Sequence, residues 1–88
     1  MSPATCAIYL LRVPEFEAVA RALAALDGVS LAPCGDYHVA RAAGEIVLRR
    51  ESCGVGHAVW FGALTGGIAG RIVEFSDDTL RLAPIATA

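Results

Sequence analysis

Two cysteine–histidine pairs are the places in this 88-residue chain where residue type and spacing point to metal or nucleophile chemistry. Cys34 and His38 lie four positions apart, as do Cys53 and His57, which together have the composition of a Cys2His2 zinc site. Chelation by so short a pair requires a tight turn, because residues four apart on a strand are separated by roughly 13 Å. His38 falls within a stretch that reads as strand, so the four are expected to be buried thiols and unrelated histidines rather than a metal site. Cys53 and His57 also have the types of a nucleophile and its base. The sequence shows neither an orienting carboxylate nor an oxyanion hole for them, and a buried, inert thiol is the commoner use of cysteine. The expectation is a protein without a catalytic constellation or metal site.

Gly67-Ile68-Ala69-Gly70 matches the GxxG clamp of KH nucleic-acid modules. The helical flank and basic surroundings of that clamp are missing, and a glycine-permitted strand bend explains the pair of glycines. The segment also lacks the Gly-Lys-Ser/Thr ending of a phosphate loop. The basic residues are seven arginines, Arg12, Arg21, Arg41, Arg49, Arg50, Arg71 and Arg81, spread along a chain whose formal charge is −2. Nucleic-acid binding needs a basic stripe to neutralise phosphates, so that class is set aside.

Composition directs attention to a surface instead. Apolar residues make up 56% of the chain and charged residues 18%, against roughly 25% charged in an average domain. A single domain of this size leaves roughly 40% of its unfolded-chain surface exposed. Some apolar area is therefore expected outside, where patches mark partner surfaces. The run Ser52–Gly70 concentrates this character: it has no Asp, Glu, Lys or Arg, and it holds six glycines and the single Trp. It reaches the length of a marginal membrane span, but its glycines, His57 and lack of a long Leu/Ile/Val block argue against one. The N-terminus MSPATC lacks the features of a signal peptide. Three cysteines without CxxC spacing argue against a disulfide framework, and a reducing cytoplasm is the expected location.

The elements that position these residues read as a single α+β domain over 1–88. Thr5–Val13 is apolar on both alternating faces, as in a strand covered on both sides. Pro14 opens a helix with Glu15 and Glu17 in its first turn. Phe16, Val19, Ala20, Leu23 and Leu26 form its apolar stripe, and Gly28 is its expected stop. Val29–Ala32 is a second strand ended by Pro33, and Cys34-Gly35-Asp36 a turn. Tyr37–Arg41 and Glu45–Arg50 are expected to pair as a hairpin through Ala42-Ala43-Gly44, with Arg41 facing Glu45. Gly54 and Gly56 interrupt any helix after Glu51. Val59, Trp60 and Phe61 are adjacent β-formers, so Ala58–Leu64 is expected to be a glycine-flanked strand with a turn at Gly66-Gly67. On that strand Trp60 and Phe61 face opposite ways. Gly70–Ser76 and Thr79–Ala83 form the last hairpin around Asp77-Asp78, in the register Glu74–Arg81 and Val73–Leu82.

Two of these stretches carry a resemblance. Tyr37–Glu51, YHVARAAGEIVLRRE, has an aromatic opening, a bend glycine and an Arg-Glu exit, and Ile68–Leu82, IAGRIVEFSDDTLRL, opens on Ala-Gly-x-Ile and turns on acids. With the preceding strand–helix–strand Thr5–Ala32, their order resembles the regulatory, or coupling, proteins of soluble bacterial multicomponent di-iron monooxygenases. That family serves methane monooxygenase, phenol hydroxylase and toluene monooxygenases. The resemblance implies a two-part α/β body without enzymatic activity or cofactor, which docks on a di-iron hydroxylase and couples NADH use to hydroxylation. Where the family has a helix of two or three turns after the Arg-Glu pair, Ser52–His57 is short and glycine-rich, and a departure is expected there. The implied docking surface is Thr65, Gly66, Gly67, Ile68, Gly70 and Arg71 with the following hairpin. Trp60 is added because Trp is enriched at binding hot spots. The reading from a different class is a small interaction or ligand-binding module that self-associates, as a homodimer, through Val59–Leu64.

Overall fold

A computed structural model describes residues 5–85. It is an α+β domain with two antiparallel sheets. Strand β1 (Thr5–Leu11) runs through the first sheet, in the order β2-β3-β1-β5. The other members are β2 (Val29–Cys34), β3 (Tyr37–Ala43) and the two-residue β5 (Ile68–Ala69). The second sheet has the order β4-β7-β6, from β4 (Ile46–Arg49), β6 (Arg71–Phe75) and β7 (Thr79–Ala83). Among the described residues three α-helices accompany the sheets: α1 (Glu17–Ala24), α2 (Arg50–Cys53) and α3 (His57–Gly62).

One plan is used twice. A strand, a helical segment and then a hairpin follow in sequence, and the hairpin's last strand lies between its other two. The first pass is β1–α1–β2–β3 and the second is β4–α2–α3–β6–β7, with the short β5 inserted before β6. The halves share one core. Cys6, Ile8 and Leu10 of β1 meet Val19 and Leu23 of α1, Leu48 of β4, Trp60 of α3, and Leu80 and Leu82 of β7. The buried helical residues all join this cluster. The opposite face of the first sheet carries buried Ala7 and Val39 beside exposed Leu11 and Tyr37, so β1 is covered less fully on that side than its sequence implies.

The opening helix forms where expected, with Pro14–Phe16 as a 3-10 turn leading into α1. It ends earlier than expected, at Ala24, and the left-handed Gly28 (φ 79°) lies beyond the cap in the link to β2. Pro33 does not end β2. It pairs with His38 inside the strand, which is tolerated because β2 is an edge with no neighbour asking for that missing N–H. The β2–β3 turn is Gly35-Asp36, with a positive φ only at Gly35, the pattern of a II′ hairpin turn.

The expected hairpin of Tyr37–Arg41 with Glu45–Arg50 does not form. β3 pairs with β1 and β2, and β4 crosses to the other sheet to pair with β7. Gly44 (φ 108°) is therefore the point where the chain changes sheets. Arg41 lies across from Ala7 and Ser30, and Glu45 instead forms an ion pair with Arg81 at 3.5 Å. Ala58–Leu64 is not a strand. It is α3 followed by a 3-10 turn over Ala63–Gly66. A short apolar run has no periodicity that separates strand from helix, and here burial of Trp60 and Ala63 at helical spacing overrides the β-propensity of Val59 and Phe61. The last hairpin forms as expected, with Ser76 N–H donating to the Thr79 carbonyl (2.9 Å) and Glu74 across from Arg81. Its register differs at one place: Ile72, not Val73, faces Leu82, and Val73 is the extra residue of a β-bulge.

Candidate interaction surface

After Glu51 the helix runs only two residues further, to Cys53, and Ser52–His57 is the short, glycine-interrupted stretch that was expected. α2 closes on Gly54 in the left-handed conformation (φ 69°, ψ 28°), and Gly56, extended, precedes α3. Arg50 at the start of α2 fixes this region to the last hairpin. Its Nε donates to the Asp77 carbonyl (2.7 Å) and its Nη1 to the Val55 carbonyl (3.1 Å), while its backbone N–H donates to the Asp78 carbonyl (2.9 Å).

α3 then presents two adjacent aromatics in opposite senses. Trp60 is 2% exposed and donates Nε1–H to the Ser76 carbonyl (2.8 Å), so it is a core residue that ties α3 to the hairpin. Phe61 is 45% exposed and meets Phe75 edge-on, ring centroids 5.3 Å apart. His57 lies one helical turn before Phe61, with ring centroids 6.5 Å apart. Its Nε2 is 4.0 Å from the Asp77 carboxylate, both side chains being solvated. An exposed pair at that distance contributes little to stability. The assignment of Trp60 as an exposed anchor is thus corrected: a helix turns adjacent residues by about 100°, which puts Trp60 inward and leaves Phe61 outside.

Thr65 and Arg71 are exposed, while Gly66, Ile68 and Gly70 are partly buried. Gly67 is exposed and takes φ 104°, which ends the 3-10 turn. Gly66 passes against β1 so closely that a Cβ there would overlap the Tyr9 carbonyl oxygen. Gly70 (φ 150°) lies where β5 hands over to β6, and a Cβ on it would sit 2.8 Å from the Ala83 carbonyl. Gly70 is required by packing and Gly67 by its positive φ, which together are a sufficient reason for the GxxG spacing. The sequence reading left open which of Trp60 and Phe61 lies outside and did not single out Ile72 or Val73; Phe61, Ile72 and Val73 are the exposed apolar residues next to this segment, 45%, 46% and 43% exposed. No local signal marked them: the helical 58–64 and the bulge in β6 are set by partners distant in sequence.

The cysteine–histidine pairs do not assemble. Cys34 is exposed, whereas Cys53 is buried with its thiol 3.6 Å from the Arg49 carbonyl. Burial pushes the Cys53 thiol above its ordinary pKa, away from the thiolate that a nucleophile needs. Cys6 is buried too, donates to the Gly44 carbonyl (3.1 Å), and is likewise pushed up by burial. Among the described residues no group of three or more His, Cys, Asp or Glu is placed to hold a metal. No helix among them is long and apolar enough to cross a membrane. The gap inside the core, lined by Ile8, Leu10, Leu23, Trp60 and Leu80 among others, has a volume of about 10 Å³. It is apolar and too small for a ligand. The chain's sequence matches no protein-family model and no curated protein.

Proposed function

We propose that this protein is a non-enzymatic regulatory, or coupling, subunit that binds the di-iron hydroxylase of a bacterial aromatic or alkane monooxygenase and tunes its activity. The observation that carries the reading is the repeated strand–helix–hairpin plan, which agrees with the two-part α/β body that the sequence resemblance implies. α2 begins at the Arg-Glu pair itself and ends at Cys53, and α3 adds helix from His57, so this stretch is two short helices broken at Gly54–Gly56 rather than the longer one of that family. The docking surface in this reading is the Thr65–Gly70 loop with β6, and Phe61 takes the anchoring place first given to Trp60. Such a subunit works by population shift: it binds the active conformer of the hydroxylase more tightly than the resting one.

The test is reconstitution. Purified protein is titrated into a cognate hydroxylase and reductase, and turnover and the ratio of product to NADH are followed. A saturable rise in either is expected, with Phe61→Ala and Val73→Asp weakening the apparent affinity at unchanged fold. No change in turnover, coupling or affinity refutes the reading.

A further inference from the structure

We infer that β6 is a self-complementary edge through which two copies of this chain pair, antiparallel, about a two-fold axis between Ile72 and Val73. The inference does not rest on the proposed function, although it uses the same strand, so self-pairing and docking on a hydroxylase would compete for β6. Among the described residues four strands lie at sheet edges: β2, β5, β4 and β6. β2 carries Pro33, which cannot donate to a ladder, and β5 has only two residues and β4 only four. β6 is the remaining edge, five residues long, with neither the Pro nor the Lys that guards such edges. Its exposed centre is apolar, Ile72 and Val73.

The charges fix both the occupant and the register. β6 reads Arg71-Ile72-Val73-Glu74-Phe75. In an antiparallel pair centred between Ile72 and Val73, each Arg71 lies opposite the other copy's Glu74, and each Ile72 opposite the other copy's Val73. In a regular strand positions 71 and 74 would point to opposite faces. The bulge at Val73 changes this. Arg71 pairs with Ala83 and Glu74 with Arg81, two positions that share the face of β7 opposite Leu80 and Leu82. Arg71 and Glu74 therefore lie on one face, so both ion pairs of the dimer form on the same side of a continuous six-stranded sheet. The two bulges sit across from one another, and neither chain has a residue to spare. Among the described residues neither Arg71 nor Glu74 is engaged in a salt bridge within the chain. A bulge on an edge ordinarily discourages pairing with unrelated strands. Here it selects for an identical one.

A contact of one strand per copy belongs to the weak class of interfaces, under about 1,200 Å² in total, so the expected dissociation constant lies between about 1 μM and about 1 mM. Sedimentation equilibrium of the full chain over that concentration range reads it. Arg71→Glu places four carboxylates at the axis, and Glu74→Arg places four guanidinium groups there. Each variant alone is expected to shift the dimer midpoint at least tenfold toward monomer. Mixed one to one they are expected to form a heterodimer, because the two carboxylates of the first variant then face the two guanidinium groups of the second. The double variant R71E/E74R is expected to dimerise like the parent. Both side chains are exposed, and far-UV circular dichroism verifies that each variant is folded. A parent that stays monomeric at about 1 mM, single variants that dimerise as well as the parent, or a mixture that remains monomeric would each overturn the inference.

Discussion

Trp60 and Phe61 are neighbours in sequence with opposite structural assignments, and substituting each in turn separates the helical geometry from a strand. Trp60→Phe removes the hydrogen bond to the Ser76 carbonyl, a net loss of about 1 kcal/mol, and leaves that carbonyl partly buried without its donor. The smaller ring also leaves volume unfilled beside Leu10 and Leu80, where the core gap is already lined by Trp60. Full truncation of a buried aromatic costs about 3–5 kcal/mol, so the indole-to-phenyl change is expected to cost about 2–3 kcal/mol. An 88-residue domain has roughly 4–13 kcal/mol in all at about 0.05–0.15 kcal/mol per residue, so this loss is a large fraction of its stability. Phe61→Ala loses only an edge-on contact with Phe75, about 0.5–1.5 kcal/mol, and is partly offset by the higher helix propensity of Ala. Its net cost is expected below about 1 kcal/mol. Urea titration followed by circular dichroism measures both. The expected midpoint drop for W60F comes at unchanged m-value, with a melting temperature lower by roughly 8–24 °C. A W60F cost below that of F61A would refute the placement of Trp60 inside and Phe61 outside.

Four further outcomes follow from contacts described above. Gly66→Ala forces a Cβ onto the Tyr9 carbonyl and against the Tyr37 ring and is expected to cost about 1–3 kcal/mol; Gly62→Ala, at the end of α3 with only ordinary contact to Phe16, is expected to be neutral or stabilising by up to about 1 kcal/mol, and thermal melts compare the two. Arg50→Ala removes two side-chain hydrogen bonds that hold α2 to Asp77 and Val55 and is expected to cost about 1–2 kcal/mol by urea titration. Alkylation under native conditions is expected to modify Cys34 quickly and Cys6 and Cys53 slowly, since only the first is exposed. The two buried thiols have folded pKa values above their unfolded ones. Their contribution is thus complete below roughly pH 8.5 and is lost as pH rises through the folded values. Stability is expected to fall in that alkaline window, and Cys53→Ala should make the fall shallower.

The parts legible in the sequence are those fixed by local chemistry. Thr5–Leu11, the Pro14-led helix and the hairpin around Asp77-Asp78 carry their own alternation, caps and turn residues, and all three form. The parts that were not legible depend on distant partners. Ala42-Ala43-Gly44 has the composition of a hairpin loop, but β4 finds a better neighbour in β7, more than thirty residues on, where Ile46 and Leu48 meet Leu82 and Leu80. Val59-Trp60-Phe61 reads as strand by propensity, yet the space beneath it is shaped for an indole one helical turn from Ala63. A bulge at Val73 has no signature in Ile-Val-Glu, and it decides which residues of β6 face outward. Of the segment singled out in the sequence, Thr65, Gly67 and Arg71 are exposed, and of the two aromatics before it Phe61 lies outside and Trp60 inside.

β5 belongs by sequence to the second half of the chain, but it pairs with β1 of the first, Ala7 with Ala69 and Ile8 with Ile68. That short splice, with Gly66 and Gly70 pressed against β1 and β7, interlocks two units that share a plan. Neither has a complete interior without the other, so a cut at Gly44 should yield two pieces that are unstructured apart and fold only when mixed. Heating the intact chain should accordingly give one transition, with the duplicated layout invisible to the calorimeter.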